Sequence, residues 1–299
     1  MARGPLLPRS KTNPVGQTQP IRKARAVIFK SLRQAQQYAV EEVMSWPYTI
    51  RNQWHANKFY EFQVSQTRLE QIVTTIARIV SEGGGPDAVR DAVARVYEGG
   101  AVMSMENLFG QSDDIARAAT APIADTAVRR RASIAGARAY EEMQGFTDDL
   151  KKDLSRVMFN AIQSGENPRQ TAKIIRGRFD VSRSRAERIA RTEITMALRR
   201  GGWDADRDME EKFGLRSMLL HNSALIPGRT RESHARRHGK LYTREEVTDW
   251  YSRDANAINC LCSQTAVIVD ENGEPVFGDK LRERMAVQRE KLLAKDDTA

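Results

Sequence analysis

The chain has 299 residues, 40% of them hydrophobic, which is enough for one ordinary core or two modest ones. No stretch reaches the roughly 18 uncharged apolar residues of a membrane span, and residues 1–25 lack the apolar block of a signal peptide, so a membrane protein is not expected. The formal net charge of +9 favours a polyanionic partner, because basic surfaces release counterions from phosphates.

Residues 1–22 are predicted to form a basic extended arm. Pro5, Pro8 and Pro14 interrupt a segment without hydrophobic periodicity, so we expect no core of its own. Such an arm either lies along a neighbour in an assembly or remains a solvated tail. The candidate DNA contacts are basic residues in the arm, just after it and in a later loop: Arg3, Arg9, Lys11, Arg22, Lys23, Arg25, Arg236, Arg237 and Lys240.

Residues 23–148 are predicted to form a helical domain. Apolar residues recur at helix spacing from Arg25, and Trp46-Pro47 ends the first helix. A glycine run at 83–85 ends the second helix. Short connections predict antiparallel neighbours in a bundle. The later helices of this domain are predicted over 57–81, 87–97, 103–119 and 123–143.

Residues 149–277 are predicted to form a smaller α+β domain, followed by a charged helix within 278–299. Its helices are expected to begin near Thr147, at Pro168 and at Ser182 or Ser184, and the last of these carries Glu193. Strands are predicted over 215–221 and 265–269, with a helix capped by Thr243 between them and a turn at Asn272-Gly273 after them. The predicted fold class is α+β, mostly α, with a helical N-terminal half.

Glu193 is predicted to face the core, because Ile189, Ala190, Met196 and Ala197 lie three and four residues away on the same helix face. A buried carboxylate requires a partner, and we expect Arg231, His234 or both to supply it. On this interpretation, the pairing attaches the loop that contains Arg231 and His234 to the helix that carries Glu193. The alternative is a catalytic Glu–His pair, although no obvious nucleophile accompanies it. The predicted polar network comprises Arg191, Thr192, Glu193, Thr230, Arg231, His234 and Asn259.

Cys260 and Cys262 point to the same face if their segment is extended, so both thiolates can bind one metal ion. One or two imidazoles from His221, His234 and His238 would complete a tetrahedral structural zinc site, for which His234, Cys260 and Cys262 are the candidate ligands. Two alternatives are open. The cysteines are small buried hydrophobes beside a hydrogen-bonded core histidine, or they form a strained disulfide or carry out redox chemistry.

Three short motifs have an order and spacing that resemble a known family. They are Arg191-Thr192-Glu193, Arg231 followed three residues later by His234, and Asn259-Cys260-Leu261-Cys262. With residues 158–165 upstream, they resemble the phage Mu F-like head morphogenesis family of minor capsid proteins over about residues 150–275. The family usually has an acidic residue just before the Thr-Arg pair, where this chain has Arg229.

The resemblance implies a structural, non-enzymatic protein of the virion, near the portal vertex, that passes through the host cytoplasm during assembly. It implies roles in capsid assembly and DNA packaging or ejection. The expected partners are the portal protein, the major capsid protein and packaged double-stranded DNA bound without sequence preference. The helical N-terminal half would then dock on portal or capsid. Alternatives are a metal-dependent nuclease, a transferase acting on nucleic acid or protein, or an internal scaffold.

Overall fold

The computed structural model describes residues 3–52, 58–118, 126–276 and 279–296. The described chain is mostly helical, with a two-stranded sheet β1-β2 and a three-stranded antiparallel sheet β4-β3-β5, which confirms the predicted fold class. The helices are α1 Thr18–Ser45, α2 Gln66–Glu82, α3 Gly85–Gln111, α4 Asp113–Ala118, α5 Thr126–Ser164, α6 Pro168–Phe213, α7 Glu232–Ala235, α8 Arg244–Ser252 and α9 Asp279–Asp296. The strands are β1 Tyr48–Asn52, β2 Lys58–Phe62, β3 Ser217–Asn222, β4 Leu241–Tyr242 and β5 Ser263–Ile268.

Several helices are longer than the sequence predicts. Helix α3 is continuous where two helices were expected, and the same holds for α5 and for the 46-residue α6. The expected break before Ser182 is wrong because the hydroxyls of Ser182 and Ser184 donate to carbonyls four residues earlier within the helix. In contrast, Thr243 caps α8 as predicted, in a reciprocal capping box with Glu246.

The prediction of one helix over 57–81 is wrong at its start. Residues 58–62 form β2, which pairs antiparallel with β1. In this pairing Tyr48 lies opposite Phe62. The ring of Trp46 meets that of Phe62 edge-on at 5.4 Å between centroids, so aromatic packing across the hairpin stabilises the pairing. Helix α2 then begins behind Ser65, whose hydroxyl accepts from the backbone N–H of Arg68.

The chain divides into two compact units, and each comprises segments distant in sequence. The hairpin unit comprises Ile21–Asp91 and Ala137–Ala190; the sheet unit comprises Met1–Pro20, Ala92–Gly136 and Arg191–Ala299. These divisions fall inside the helices α1, α3, α5 and α6, so each of these helices contributes to both units.

The hairpin unit has a helical core. Ile28, Leu32, Ile72 and Ile76 are almost inaccessible to solvent, as expected from the apolar stripes of α1 and α2. Gly84 allows the sharp turn between α2 and α3, with φ of +78°.

In the sheet unit the three-stranded sheet has an apolar layer on each face. One cluster includes Leu219 of β3, Trp203 of α6 and Val247 of α8. The other includes Leu220 and Met285, so α9 packs on its own domain. The side-chain amides of Asn107 and Gln111 on α3 bind the Ala266 carbonyl of β5 at 2.7 and 2.9 Å. These two amides thereby donate hydrogen bonds to a backbone carbonyl of β5, which is an outer strand of the sheet.

The N-terminal arm, predicted to have no core of its own, is part of the sheet unit and packs on its other segments. Val15 is only 2% exposed, and its N–H donates to the Leu261 carbonyl at 3.1 Å. The Leu225 N–H donates to the Lys11 carbonyl at 3.3 Å, and the Leu6 N–H donates to the Asn107 side chain at 2.7 Å.

Within the described ranges, the helices all fall short of the length and apolar character that crossing a membrane demands.

Candidate functional site

His234, Cys260 and Cys262 come together inside the sheet unit and form what we call the thiol–imidazole cluster. His234 lies on the short helix α7, whereas the cysteines precede β5. The Sγ atoms of Cys260 and Cys262 are each 3.5 Å from Nδ1 of His234. The three potential ligand atoms lie within 4.8 Å of one another, and all three residues are buried. The geometry brings together the three residues that the sequence offers as metal ligands.

The spacing of the cluster matches one face of a tetrahedral zinc site. With a zinc–sulfur bond of about 2.3 Å and a zinc–nitrogen bond of about 2.0–2.1 Å, tetrahedral angles separate sulfur and nitrogen by roughly 3.6 Å. Both sulfur–nitrogen distances in the cluster are 3.5 Å. Thiolate sulfur and imidazole nitrogen are also the donors that zinc prefers. The residues present therefore fit this ion in both chemistry and distance.

Arg199 of α6 holds the cysteine segment in place. It is buried, and its guanidinium donates to the Cys260 carbonyl at 2.9 Å and to the Cys262 carbonyl at 2.7 and 3.0 Å. The guanidinium also lies 4.8 Å from the centre of the Tyr251 ring. Arg199 therefore fixes the backbone of both thiol residues from the helix that carries Glu193. The sequence reasoning missed it, although an arginine four residues from Thr195 and four from Trp203 lies on the buried face of the helix.

The predicted burial of Glu193 is wrong, because this side chain is only half-buried. The predicted bond from His234 to Glu193 is also wrong. Nδ1 of His234 faces the two sulfurs, and Nε2 has no hydrogen-bond partner within the described residues. Arg231 donates to the carbonyls of Ala255 and Asn256, each at 2.9 Å. The loop before α7 is thus tied to the cysteine segment through main-chain carbonyls.

Other members of the predicted polar network also form hydrogen bonds that involve backbone groups. The Asn259 N–H donates to the Thr192 hydroxyl at 3.1 Å, which joins α6 to the cysteine segment. Asn259 itself has a φ of +55°, a conformation that asparagine tolerates. The Thr230 hydroxyl donates to the Ala224 carbonyl and accepts from the Ile226 N–H, so it closes its own loop. Arg191 is half-buried on α6.

His221 and His238 are not part of the cluster. Nδ1 of His221 lies 3.1 Å from the Gln264 side chain, and Nδ1 of His238 accepts from the Ser223 N–H at 3.0 Å. Burial lowers the pKa of both, that of His238 to about 4, so both imidazoles are neutral at pH 7. Of the three histidines considered from the sequence, only His234 reaches the sulfurs.

The two thiols have opposite pKa shifts. The pKa of Cys260 is lowered by a hydrogen bond from the Cys262 thiol, with further contributions from Arg199 and His234. The same hydrogen bond, together with burial, raises the pKa of Cys262. The pair therefore favours a thiolate on Cys260, the form that binds a metal ion.

Aromatic rings lie beside His234, Cys260 and Arg237. Its ring meets that of Trp250 edge-on with centroids 4.6 Å apart, and the Tyr251 hydroxyl lies 3.6 Å from the Cys260 sulfur. The Arg237 guanidinium lies 3.5 Å from the centre of the Tyr242 ring and 4.5 Å from that of Trp250. Arg237, a candidate DNA contact, is therefore half-buried over aromatic rings, whereas DNA contact requires a cation that reaches the surface.

A cavity of about 310 Å³ opens onto the cluster. Besides the three cluster residues, it is lined by Ala224, Ile226, Arg229, Thr230, Arg231, Ile258, Asn259 and Leu261. Arg229 and Arg231 are exposed, and the lining has neither aspartate nor glutamate among the residues that the structure describes.

The other basic residues proposed as DNA contacts are mostly at the surface. Arg25 is the exception: it is half-buried and pairs with Glu187 at 3.1 Å. Arg236 is exposed and pairs with Glu232 on its own short helix. The remaining exposed candidates are Arg3, Arg9, Lys11, Arg22, Lys23 and Lys240.

Comparison with known families identifies the region that contains the cluster. Residues 152–265 match the model of the family described as Phage Mu protein F like protein. The match covers less than half of the chain but includes Arg199, His234, Cys260 and Cys262. No curated protein and no solved structure matches the chain. The match confirms the resemblance carried by the three motifs: residues 152–265 are similar to the Phage Mu protein F-like family, and this similarity suggests a bacteriophage head morphogenesis protein.

Proposed function

We propose that this protein is a minor head protein of a tailed bacteriophage, present in the virion in few copies at the portal vertex. It acts there in capsid assembly and in DNA packaging or ejection, with the portal protein and the major capsid protein as partners. The observation that carries this proposal is the family match over residues 152–265. The helices between residues 23 and 148 supply the docking surface for portal or capsid.

The protein contacts packaged double-stranded DNA through phosphates, without preference for sequence. The net charge of +9 and the exposed arm residues Arg3, Arg9 and Lys11 support this part of the proposal, since phosphate contacts need only accessible cations. Arg22, Lys23, Arg236 and Lys240 are further exposed candidates.

The same proposal assigns a structural zinc ion to the thiol–imidazole cluster. His234, Cys260 and Cys262 would hold it, and the ion would join α7 to the segment before β5. The two sulfur–nitrogen distances of 3.5 Å support this assignment. A metal-dependent nuclease normally binds its ions through carboxylates, whereas the cluster consists of thiols and an imidazole. The family is a structural one, which favours a non-enzymatic role.

A reconstruction of the intact virion without imposed symmetry tests the location. We expect density for this chain at the portal vertex and absent from the other eleven vertices of an icosahedral shell, together with a low copy number by quantitative mass spectrometry. Finding the chain on every capsid vertex, or finding it in immature heads but not in mature virions, would contradict the proposal. The second result would indicate an internal scaffold.

A further inference from the structure

The three potential metal ligands of the thiol–imidazole cluster lie within 4.8 Å of one another, and a cavity opens onto the residues that carry them. We infer that the fourth coordination position of the metal is exchangeable and takes a small oxyanion, a phosphate or a carboxylate, from this cavity. The inference rests on the zinc site proposed above and adds a ligand-binding role to it.

The protein offers the metal three side-chain ligands. Among the residues that the structure describes, the group of neighbouring histidine, cysteine and acidic side chains at this site ends at three. The nearby hydroxyls are engaged elsewhere or face a sulfur: Tyr251 accepts from the Gln264 side chain at 3.1 Å, and Ser223 lies 3.6 Å from the Cys262 sulfur. Zinc takes four ligands in closed structural sites, whereas three protein ligands with an open position are typical of sites that exchange water or a substrate.

The cavity has space for a further ligand beside the cluster. The cavity of about 310 Å³ is lined by all three cluster residues, so it reaches the position that the protein leaves open. A water molecule takes up about 30 Å³ in the liquid, so the cavity has room for a group several times larger.

The charged side chains around the cavity favour an anion as the ligand. Two thiolates neutralise the charge of a zinc ion, and a neutral imidazole adds none, so the charged side chains around the cavity decide which ligand is favoured. Within the described part of the chain those side chains are Arg229 and Arg231, and no carboxylate lines the cavity there. Arg231 is held by the Ala255 and Asn256 carbonyls, so its position is fixed before a ligand arrives. Guanidinium groups match the planar geometry of carboxylate and phosphate oxygens, which favours an oxyanion.

The experiment uses the full chain with Co²⁺ in place of zinc, because tetrahedral thiolate-bound Co²⁺ absorbs visible light and responds to a change of ligand. Metal content per chain is measured first, in the wild type and in Cys262→Ser, by elemental mass spectrometry. The Co²⁺-loaded protein is then titrated with inorganic phosphate and, separately, with acetate. We expect one Co²⁺ per chain in the wild type and a saturable change of the visible spectrum with at least one of the two anions.

Arg229→Gln tests whether the anion binds through the cavity. Arg229 is exposed, so the variant should fold and retain its Co²⁺, while the dissociation constant for the anion rises roughly 10-fold, as expected for the loss of one charge-assisted contact. Arg236→Gln is the matched control, since Arg236 is exposed on the neighbouring helix but does not line the cavity. Its anion affinity should stay within about 2-fold of the wild type.

The outcomes separate the two proposals. Co²⁺ that binds but whose spectrum does not respond to phosphate or acetate would overturn the exchangeable position and leave the zinc site standing. Failure of the wild type to bind zinc or Co²⁺ would overturn both. A response to phosphate alone would identify a phosphate ligand, and a response to both anions would support the shared oxyanion chemistry. An equal anion affinity in Arg229→Gln and the wild type would overturn the assignment to this cavity.

Discussion

Asp206 is an acid enclosed by the sheet unit. It is 1% exposed, and its carboxylate accepts a hydrogen bond from the Ser104 hydroxyl. Burial raises the pKa of Asp206 from 3.8 to about 7, because the charged form loses its hydration. The folded state therefore holds a proton on this residue over a pH range in which the unfolded chain has released it.

The sign of the pH dependence follows from this shift. Since the folded pKa is raised, the contribution of Asp206 to stability is fully present below about pH 4 and is lost as the pH rises through about 7. A displacement from 3.8 to about 7 corresponds to at most roughly 4 kcal/mol. Asp206→Asn keeps an oxygen acceptor for Ser104 and removes the charge. We expect the variant to unfold with a free energy about 1–3 kcal/mol higher than the wild type at pH 8, and with a smaller advantage at pH 5.

Urea unfolding of both proteins at several pH values between 5 and 8 measures this difference. Glu211→Gln is the control, because it removes a carboxylate from an exposed position on the same helix. A stability difference between Asp206→Asn and the wild type that stays constant across this range would contradict the prediction.

Some residues of the site could be predicted from the sequence, and others could not. Cys260, Cys262 and His234 were identifiable from side-chain chemistry and spacing, and the structure brings them together. Arg199 and Glu193 lie on the same helix, and each has apolar neighbours at helix spacing, yet Arg199 is buried and Glu193 is half-buried. The difference depends on the carbonyls of residues 260 and 262, which reach Arg199 across more than sixty positions of the chain. Periodicity alone does not reveal such partners.

At the scale of elements, α3 and α6 cross through two glycines. A Cβ on Gly100 would collide with the backbone of Leu198, and a Cβ on Gly201 would collide with the Tyr97 carbonyl. The two helix backbones therefore approach more closely than any residue with a side chain would permit. This crossing fixes the part of α6 that carries Arg199, and hence the segment that Arg199 holds.

Gly100→Ala should destabilise the sheet unit, because the methyl group has to push one helix away from the other. We expect the free energy of unfolding to fall by about 1–3 kcal/mol, measured by chemical denaturation. Gly99→Ala is the matched control, since a Cβ there meets nothing within 4 Å and alanine is the better helix former. If Gly100→Ala were as stable as Gly99→Ala, the close crossing would be disproved.

Element boundaries were harder to predict than element types. The glycines at 83–85 do end a helix, because Gly84 takes a positive φ, whereas Gly99 and Gly100 lie within a continuous α3. Gly100 allows a close contact between α3 and α6, and the local sequence pattern does not predict that contact. Phe59 and Phe62 fit a helical stripe equally well, but their segment pairs with β1 across the hairpin. Long-range pairing overrides local periodicity at such positions.

At the scale of the whole molecule, the N-terminal arm has two separable roles. Its backbone and Val15 pack on the sheet unit, whereas Arg3, Arg9 and Lys11 have exposed side chains. Removing residues 1–16 should lower the free energy of unfolding by roughly 2–4 kcal/mol, from the lost burial of Val15 and the lost hydrogen bonds. Arg3→Gln/Arg9→Gln/Lys11→Gln should leave stability nearly unchanged and weaken DNA binding.

Fluorescence anisotropy with two unrelated DNA duplexes over a range of salt concentrations checks the second role. The slope of log affinity against log salt should decrease by about 2–3 in the triple variant if all three cations contact phosphate, and the two duplexes should bind equally. A triple variant with the wild-type slope would show that the arm does not contact DNA. A strong preference for one duplex would contradict the sequence-independent mode.

The attachment of the arm to β5 has a consequence for biosynthesis. Leu6 meets its partner Thr265 only after a further 259 positions have been translated, and Val15 likewise waits for Leu261. The hairpin unit, by contrast, has all its segments once residue 190 has left the ribosome. A nascent chain paused there carries a complete hairpin unit together with an arm whose partners Leu261 and Thr265 have not yet been made, so the sheet unit is necessarily the last part of the protein to close.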